Sequence, residues 1–409
     1  MERKIKRLIS LRELFVLAVA LLMLMSGSVG AESWKFGVMS DTQWTAPTDP
    51  AGKNPNGVAV SIIEQINQKF IEAGVKFVIQ VGDLTEDGYD ADIARRAEAA
   101  QPLYGAGIGF FPMRGNHETY ANCTESNRNC ADRNAHSTNK NSFGIPAVQF
   151  NFPQTRGLSN TFGATNFSSP TSVSTALDGM SYSFDYGTEG NNARFVIIDN
   201  WAAPGKVFIV PGLDQYYFGY SIHDQQPWIS SRVDKKTRGT THAFVLSHQN
   251  LIGENHQDSL FTGYADANPA WQNAFFASLQ DNGVKYYISG HDHIHQRSII
   301  TSPDGASKVE QLICASNSSK FYTPKPATDP KWFGQKVREA SISQELYTVG
   351  YYIFTIDGPR VTVDYYSDDH GKWQSDGNYP NGPKLPDTGI TPTFNFVKKE
   401  TWSYTLSSN

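Results

Sequence analysis

An α/β architecture, with strands buried between helix layers, is what this sequence predicts, and three observations carry the prediction. Strand-like apolar runs alternate with helix-like segments from about residue 34 to residue 300. Hydrophobic residues make up 39% of the chain and charged residues only 18%, the balance of a folded globular protein. Three cysteines in 409 residues cannot build a disulfide framework, so a buried apolar core must hold the chain together.

The elements follow in order. Trp34 to Met39 is a short strand ending in Ser40-Asp41-Thr42-Gln43. From Val58 to Ala73 the residues Ile62, Ile63, Ile66 and Phe70 recur at helical spacing, and Gly74 stops the helix. A strand over Val75 to Val81 runs into Gly82-Asp83, and a helix over about 90–104 leads to a third run, Ile108 to Met113, followed by Arg114-Gly115-Asn116-His117. From 118 to about 180 the composition shifts to Asn, Ser, Thr, Gly and Pro, which reads as a cap-like insertion. The pattern resumes with strands at 181–186, 195–198 and 243–246, the last ending at Ser247-His248. Helices near 225–234 and 270–280 follow, and Val284 to Ser289 delivers Gly290-His291-Asp292-His293. Residues 301–409 form a β-rich part that completes or extends the core, with strand-like runs at 309–314, 347–356 and 360–366.

At the amino end Arg3, Lys4, Lys6, Arg7 and Arg12 precede an apolar run from Leu14 to Met25. Val29 and Ala31 then stand at the −3 and −1 positions of a cut after Ala31, the pattern of a secretory signal peptide over residues 1–31. The expected location is secreted or periplasmic, with no transmembrane segment after cleavage. In such an oxidising compartment Cys123 and Cys130 could close a small loop, while Cys314, inside an apolar run, reads as a buried thiol. Sequons begin at Asn122, Asn166 and Asn317. A net charge of −5 without a basic block excludes a dedicated nucleic-acid scaffold.

The informative feature is positional. Five clusters each sit immediately after an apolar run: Asp41-x-Gln43, Gly82-Asp83, Gly115-Asn116-His117, His248 and Gly290-His291-x-His293. Ligands of open α/β sheets bind outside the carboxyl ends of strands. Carboxylate, amide and imidazole together suit two borderline divalent ions bridged by one carboxylate. Gly82 and Gly115 let the backbone pass close to such ions without a Cβ in the way. Arg114 either holds a substrate phosphate or pairs with a surface carboxylate. His295 extends the last cluster and is a candidate for a supporting or substrate role. His136, His223, His242, His256 and His370 lack a strand-end context and read as structural.

In combination, Asp41-x-Gln43, Gly82-Asp83-Leu84-Thr85-Glu86-Asp87-Gly88, Gly115-Asn116-His117-Glu118, His248 and Gly290-His291-Asp292-His293 resemble the calcineurin-like metallophosphoesterase superfamily over about residues 34–300. The resemblance implies a four-layer α/β/β/α sandwich with a C-terminal β-rich extension. It implies one metal on Asp41, Asp83 and His293 and a second on Asp83, Asn116, His248 and His291. The ions would be manganese, iron, zinc or a mixed pair. His117 would not ligate but would face a phosphate-ester substrate and protonate its leaving oxygen, with Glu86 or Asp87 orienting it. Gln43 stands where the family usually has histidine, which puts the first metal's strength and identity in question. Glu86 stands where purple acid phosphatases carry tyrosine, which argues against a purple site. The implied reaction is two-metal hydrolysis of a phosphomonoester or phosphodiester without a phospho-enzyme. The rival reading is a metal-binding or phospho-ligand-binding protein that keeps the fold and has lost turnover.

Overall fold

The structure, a computed structural model, describes residues 32–44, 52–119, 144–201, 208–209, 216–217, 220–258, 260–262, 267–329, 333–369 and 393–407. The leader at 1–31, Cys123, Cys130 and the first part of the insertion lie outside the described residues. In chain order the strands are β1 (Trp34–Met39), β2 (Phe77–Gln80), β3 (Gly109–Pro112), β4 (Thr165–Ser168), β5 (Tyr182–Thr188), β6 (Asn191–Ile198), β7 (Phe208–Ile209), β8 (Tyr216–Tyr217), β9 (His242–Ser247), β10 (Tyr286–Ser289), β11 (His295–Thr301), β12 (Lys308–Ile313), β13 (Glu339–Glu345), β14 (Gly350–Asp357), β15 (Arg360–Asp368) and β16 (Phe396–Thr405). The helices that cover them are α1 (Val60–Ala73), α2 (Asp90–Ala99), α3 (Gln101–Gly105), α4 (Ile145–Asn151), α5 (Ile222–Val233) and α6 (Pro269–Asp281).

Two sheets face each other. One runs β16-β15-β14-β1-β2-β3 and the other β13-β11-β12-β10-β9-β6-β5-β4, while β7 and β8 pair only with each other. β1, β2 and β3 are parallel, as are β6, β9, β10 and β12, so their carboxyl ends line up within each sheet. The C-terminal strands are built into this frame: β14 lies antiparallel against β1, with Trp34 opposite Ile356.

Alternation along each strand explains the layering. Phe36 and Val38 of β1 join Phe77, Ile79, Phe195, Phe244 and Phe354 in the core between the sheets. The Phe36 ring stacks on Phe354 at 4.6 Å and meets Phe195 edge-on at 4.9 Å. The opposite faces read out into two further cores. Met39 and Val78 pack on Ile62, Ile66 and Phe70 of α1, whereas Val196, Val245 and Tyr287 pack on Ile229 of α5 and Phe275 of α6. The result is the α/β/β/α sandwich that the sequence predicts. Among the described residues no helix is long and apolar enough to cross a membrane.

The structure differs from the sequence expectations in places with plain physical causes. The helix expected over 90–104 is two helices, because Pro102 has no N–H to donate and starts α3 instead. In the second half of the insertion, Ile145 and Val148 of α4, with Phe152, Leu177 and Met180, pack into the helix-side core, and β4 pairs with β5. β13 hides in what reads as a polar loop, since it is an edge strand with little burial on either face. Asn317 is fully buried, its amide bonded to the Ser40 N–H and the Gly350 carbonyl, so this sequon has no room for a glycan.

Candidate metal centre

The predicted ligands converge at the carboxyl ends of five strands drawn from both sheets. Asp41 follows β1, Asp83 follows β2 and Asn116 follows β3, while His248 follows β9 and His291 and His293 follow β10. Asp41, Asp83, His291 and His293 have φ of 50°, 45°, 73° and 53°. Left-handed backbone is unfavourable for such residues, although Asp and His enter it more readily than most. Here each turn is tied down from across the sandwich. The Asp41 N–H binds the Gly82 carbonyl at 3.2 Å, and the His291 N–H donates to the Asp41 carboxylate at 3.1 Å. Glycines allow the approach: a Cβ on Gly115 would overlap the Asp83 carboxylate, and one on Gly82 would overlap the His248 ring.

Two donor sets emerge, Asp83 with His248 and His291, and Asp41 with Asp83 and His293, each with its ligand atoms within 4.8 Å of one another. Asp83 belongs to both. Asn116 Oδ1 lies 3.3 Å from His248 Nε2, which places the amide beside the first set. Two of the imidazoles are oriented by a bond on the far side, as metal-ligating histidines are. His248 Nδ1 donates to the Val81 carbonyl at 2.7 Å, and His293 Nδ1 donates to the Lys320 carbonyl at 2.8 Å. His291 Nε2 sits 3.4 Å from the Asp258 carboxylate.

Electrostatics and unmet polar atoms show that this donor set fits cations. Burial, reinforced by the charge of Asp83, pushes the Asp41 carboxyl up to about 7. Burial also opposes the ionised form of Asp83, but His248 and His117 outweigh it and hold that carboxyl well below its ordinary range. His248 in turn is driven to about 10, since its contacts with Asp83 and the charge of Asp41 overcome burial. An imidazolium thus occupies the place of a positive charge between the aspartates. His291 and His293 are held well below the histidine range, chiefly by burial, which keeps them in the neutral form that ligates. Gln43 donates its amide N–H to Asp83 at 2.7 Å, and its buried Oε1 has no partner among the described residues. A buried oxygen without a donor beside two carboxylates suits a cation.

His117 stands beside these sets. Its Nδ1 donates to the Glu86 carbonyl at 2.5 Å, and its Nε2 faces Asp83 at 3.8 Å. Orientation thus comes from the Glu86 backbone, with the Glu86 carboxylate 3.5 Å away. Asp87 instead raises the carboxyl of Asp92 on α2.

Two candidates belong elsewhere. Arg114 is buried and bound through two N–H groups to Asp199 at 2.7 and 3.0 Å, a buried fork instead of a phosphate clamp or a surface pair. Arg114 and Ser181 position Asp199, and Asp199 accepts the Trp201 N–H at 2.9 Å, so Trp201 packs against His248 and His291 with ring centroids 5.9 and 5.7 Å away. His295 turns away into the core between the sheets, bonded to Tyr352 and Glu400 and stacked on Tyr365 at 3.9 Å. It is the first residue of β11, and strand alternation carries it off the site.

The sequence reading misses several contributors. His256 stacks on His291 at 4.1 Å and donates to Asp292 at 2.7 Å, yet it lies in a loop away from any strand end. Tyr322 meets His256 and His293 edge-on at 4.7 and 5.1 Å. Glu118 accepts the N–H groups of Gly115 and Thr85 and so clasps the loops after β2 and β3 together. Burial and the Asp83 charge raise its carboxyl to about 8. The place of Glu118 next to Asn116-His117 was the one available signal for it.

The profile of the calcineurin-like phosphoesterase family matches residues 35–295, more than half of the chain, and the chain belongs to that family. Metal-dependent hydrolysis of phosphate esters is the chemistry this family and this donor set define. No curated protein sequence matches. Among solved structures, PhoD aligns over 92% of this chain and 70% of its own, at 11% identity and a TM-score of 0.50. The purple acid phosphatase PPD1 of yellow lupin (Lupinus luteus) aligns over 82% of this chain at 13% identity and a TM-score of 0.48, and the chain spans about half (51%) of its length. A dimetal phosphatase of Danio rerio aligns over 81% of this chain and 95% of its own, at 12% identity and a TM-score of 0.45.

Proposed function

We propose that the protein is an exported, binuclear metal-dependent phosphoesterase. The observation that supports the two-metal reading is the sharing of Asp83 between two three-residue donor sets. Asp41, Asp83 and His293, with Gln43 beside them, would hold one ion, and Asp83, Asn116, His248 and His291 the other. Manganese, iron, zinc or a mixed pair held there supplies Lewis acidity toward phosphate oxygens and toward water. The chain's own residues do the rest. Asp41 and Asp83 set the negative charge of the floor, His291 and His293 present neutral nitrogens beside Asp258 and bound to the Lys320 carbonyl, and His248, fixed by the Val81 carbonyl, would give up its Nε2 proton to a bound cation. His117 commits Nδ1–H to the Glu86 carbonyl, so the proton it gives to the leaving oxygen comes from Nε2. Export rests on the basic and then apolar leader alone.

Elemental analysis, paired with hydrolysis of p-nitrophenyl phosphate and bis-p-nitrophenyl phosphate, tests the reading. Two metals are expected in both the wild type and His117→Ala, with turnover about 10² to 10⁴-fold lower in the variant. One metal or none in the metal-replete wild type, without turnover of either ester, would favour the binding protein.

A further inference from the structure

The loop leaving β12 carries a cation with no carboxylate partner among the described residues. Lys320 holds its ammonium over the Tyr322 ring, 5.1 Å from the centroid. Its charge is felt by Glu86 and Asp83, but among the described residues no carboxylate lies within ion-pair distance of it. Lysines withdrawn from solvent are ordinarily paired, and this one is partly buried. The base of this side chain is fixed to the site. The Lys320 carbonyl takes the His293 Nδ1 proton at 2.8 Å and the Ser316 hydroxyl at 2.8 Å, and the Lys320 N–H donates to Ser318 at 3.0 Å. The ammonium therefore stands over a ring that itself meets His293 edge-on at 5.1 Å, near enough to Glu86 and Asp83 for their charges to act on it.

We propose that Lys320, held by Tyr322, binds a phosphate oxygen of the substrate and makes this enzyme selective for phosphomonoesters; the inference rests on the phosphoesterase reading above. A monoester dianion carries one more charge than a diester, and that charge sits on a terminal oxygen. In a diester the same oxygen bears a second organic group, which is uncharged and bulkier. An ammonium seated over Tyr322, whose far neighbour is the His256 ring, favours the first and gains no charge from the second. Charge-assisted hydrogen bonds of this kind are worth about 10- to 100-fold in binding.

The test compares wild type, Lys320→Met and Tyr322→Leu. Methionine keeps most of the stem and removes the charge, whereas leucine removes the ring over which the ammonium is seated. Three quantities are read: metal content, the ratio of kcat/KM for p-nitrophenyl phosphate to that for bis-p-nitrophenyl phosphate, and the rise in Tm of the metal-loaded protein with inorganic phosphate or with dimethyl phosphate. The wild type is expected to prefer the monoester and to be stabilised more by inorganic phosphate. Lys320→Met should keep its metals, lower the ratio at least 10-fold and lose most of the phosphate-dependent rise in Tm. Tyr322→Leu should move both readouts the same way by less, and it decides the matter if Lys320→Met does not fold. A wild type that prefers the diester, or an unmoved ratio in metal-replete variants, overturns the role of Lys320. A wild type that holds no metal and cleaves neither ester overturns the phosphoesterase reading and this inference with it.

Discussion

Left-handed backbone at Asp41, Asp83, His291 and His293 is the residue-scale signature of this centre. Each such conformation costs on the order of 1–2 kcal/mol and persists only where the surroundings over-determine it. Here the tie is visible, since the Asp41 carboxylate receives the His291 N–H and the Asp83 carboxylate receives the His117 N–H. The carboxylates thus arrange the turns that carry the other ligands. Gln43 is the residue whose role is most open to test. Replacing it with leucine removes both the bond to Asp83 and the unpartnered Oε1. On the two-metal proposal, competition titration with a chromophoric chelator should then show one metal weakened about 10- to 100-fold and the other largely spared. Equal weakening of both, or of neither, would mean that the amide only braces Asp83.

At the scale of the element, helix α2 carries a pH dependence separate from the metal centre. Asp92 lies at the third position of this helix, where its carboxylate accepts the Tyr89 N–H at 3.3 Å. Burial, with the charge of Asp87, raises its carboxyl to about 8. The folded chain therefore keeps a proton that the unfolded chain has released above about pH 4. The contribution to stability is complete below that pH and is lost progressively as pH rises through about 8. Asp92→Asn keeps an uncharged acceptor at the same place. Thermal melts should show no gain over wild type near pH 4 and a gain that grows to its full size above pH 8. A constant difference across that range would show that Asp92 is ionised in the folded protein.

The whole molecule is held across its middle by this site as well as by its aromatic core. Asp41, Asp83 and Asn116 come from one sheet and His248, His291 and His293 from the other. Bound cations would tie the two halves where buried carboxylates otherwise stand together. Metal that binds only the folded chain adds about 2.7 kcal/mol per site at a free concentration 100 times Kd. Chelation should therefore lower Tm by several degrees, and readdition of manganese or zinc should restore it. A melt that does not respond to chelator in a protein shown to contain metal would place the ions outside this interface.

Much of the fold and most of the centre were legible in the sequence, for one physical reason. A strand covered on both faces is an apolar run, and the residues just past it lie at one end of the sheet, so Asp41, Asp83, Asn116, His248, His291 and His293 announced themselves by position. Tertiary structure alone decided what depends on partners far along the chain. Arg114 is bound to Asp199, 85 residues away, and His295 to Glu400, 105 residues away, and no local pattern foretells either. The same holds for His256, Lys320 and Tyr322, which sit on irregular loops and reach the centre only because two sheets bring those loops together. Periodicity encodes which face of an element is buried, whereas contact between loops is set by how the buried faces pack.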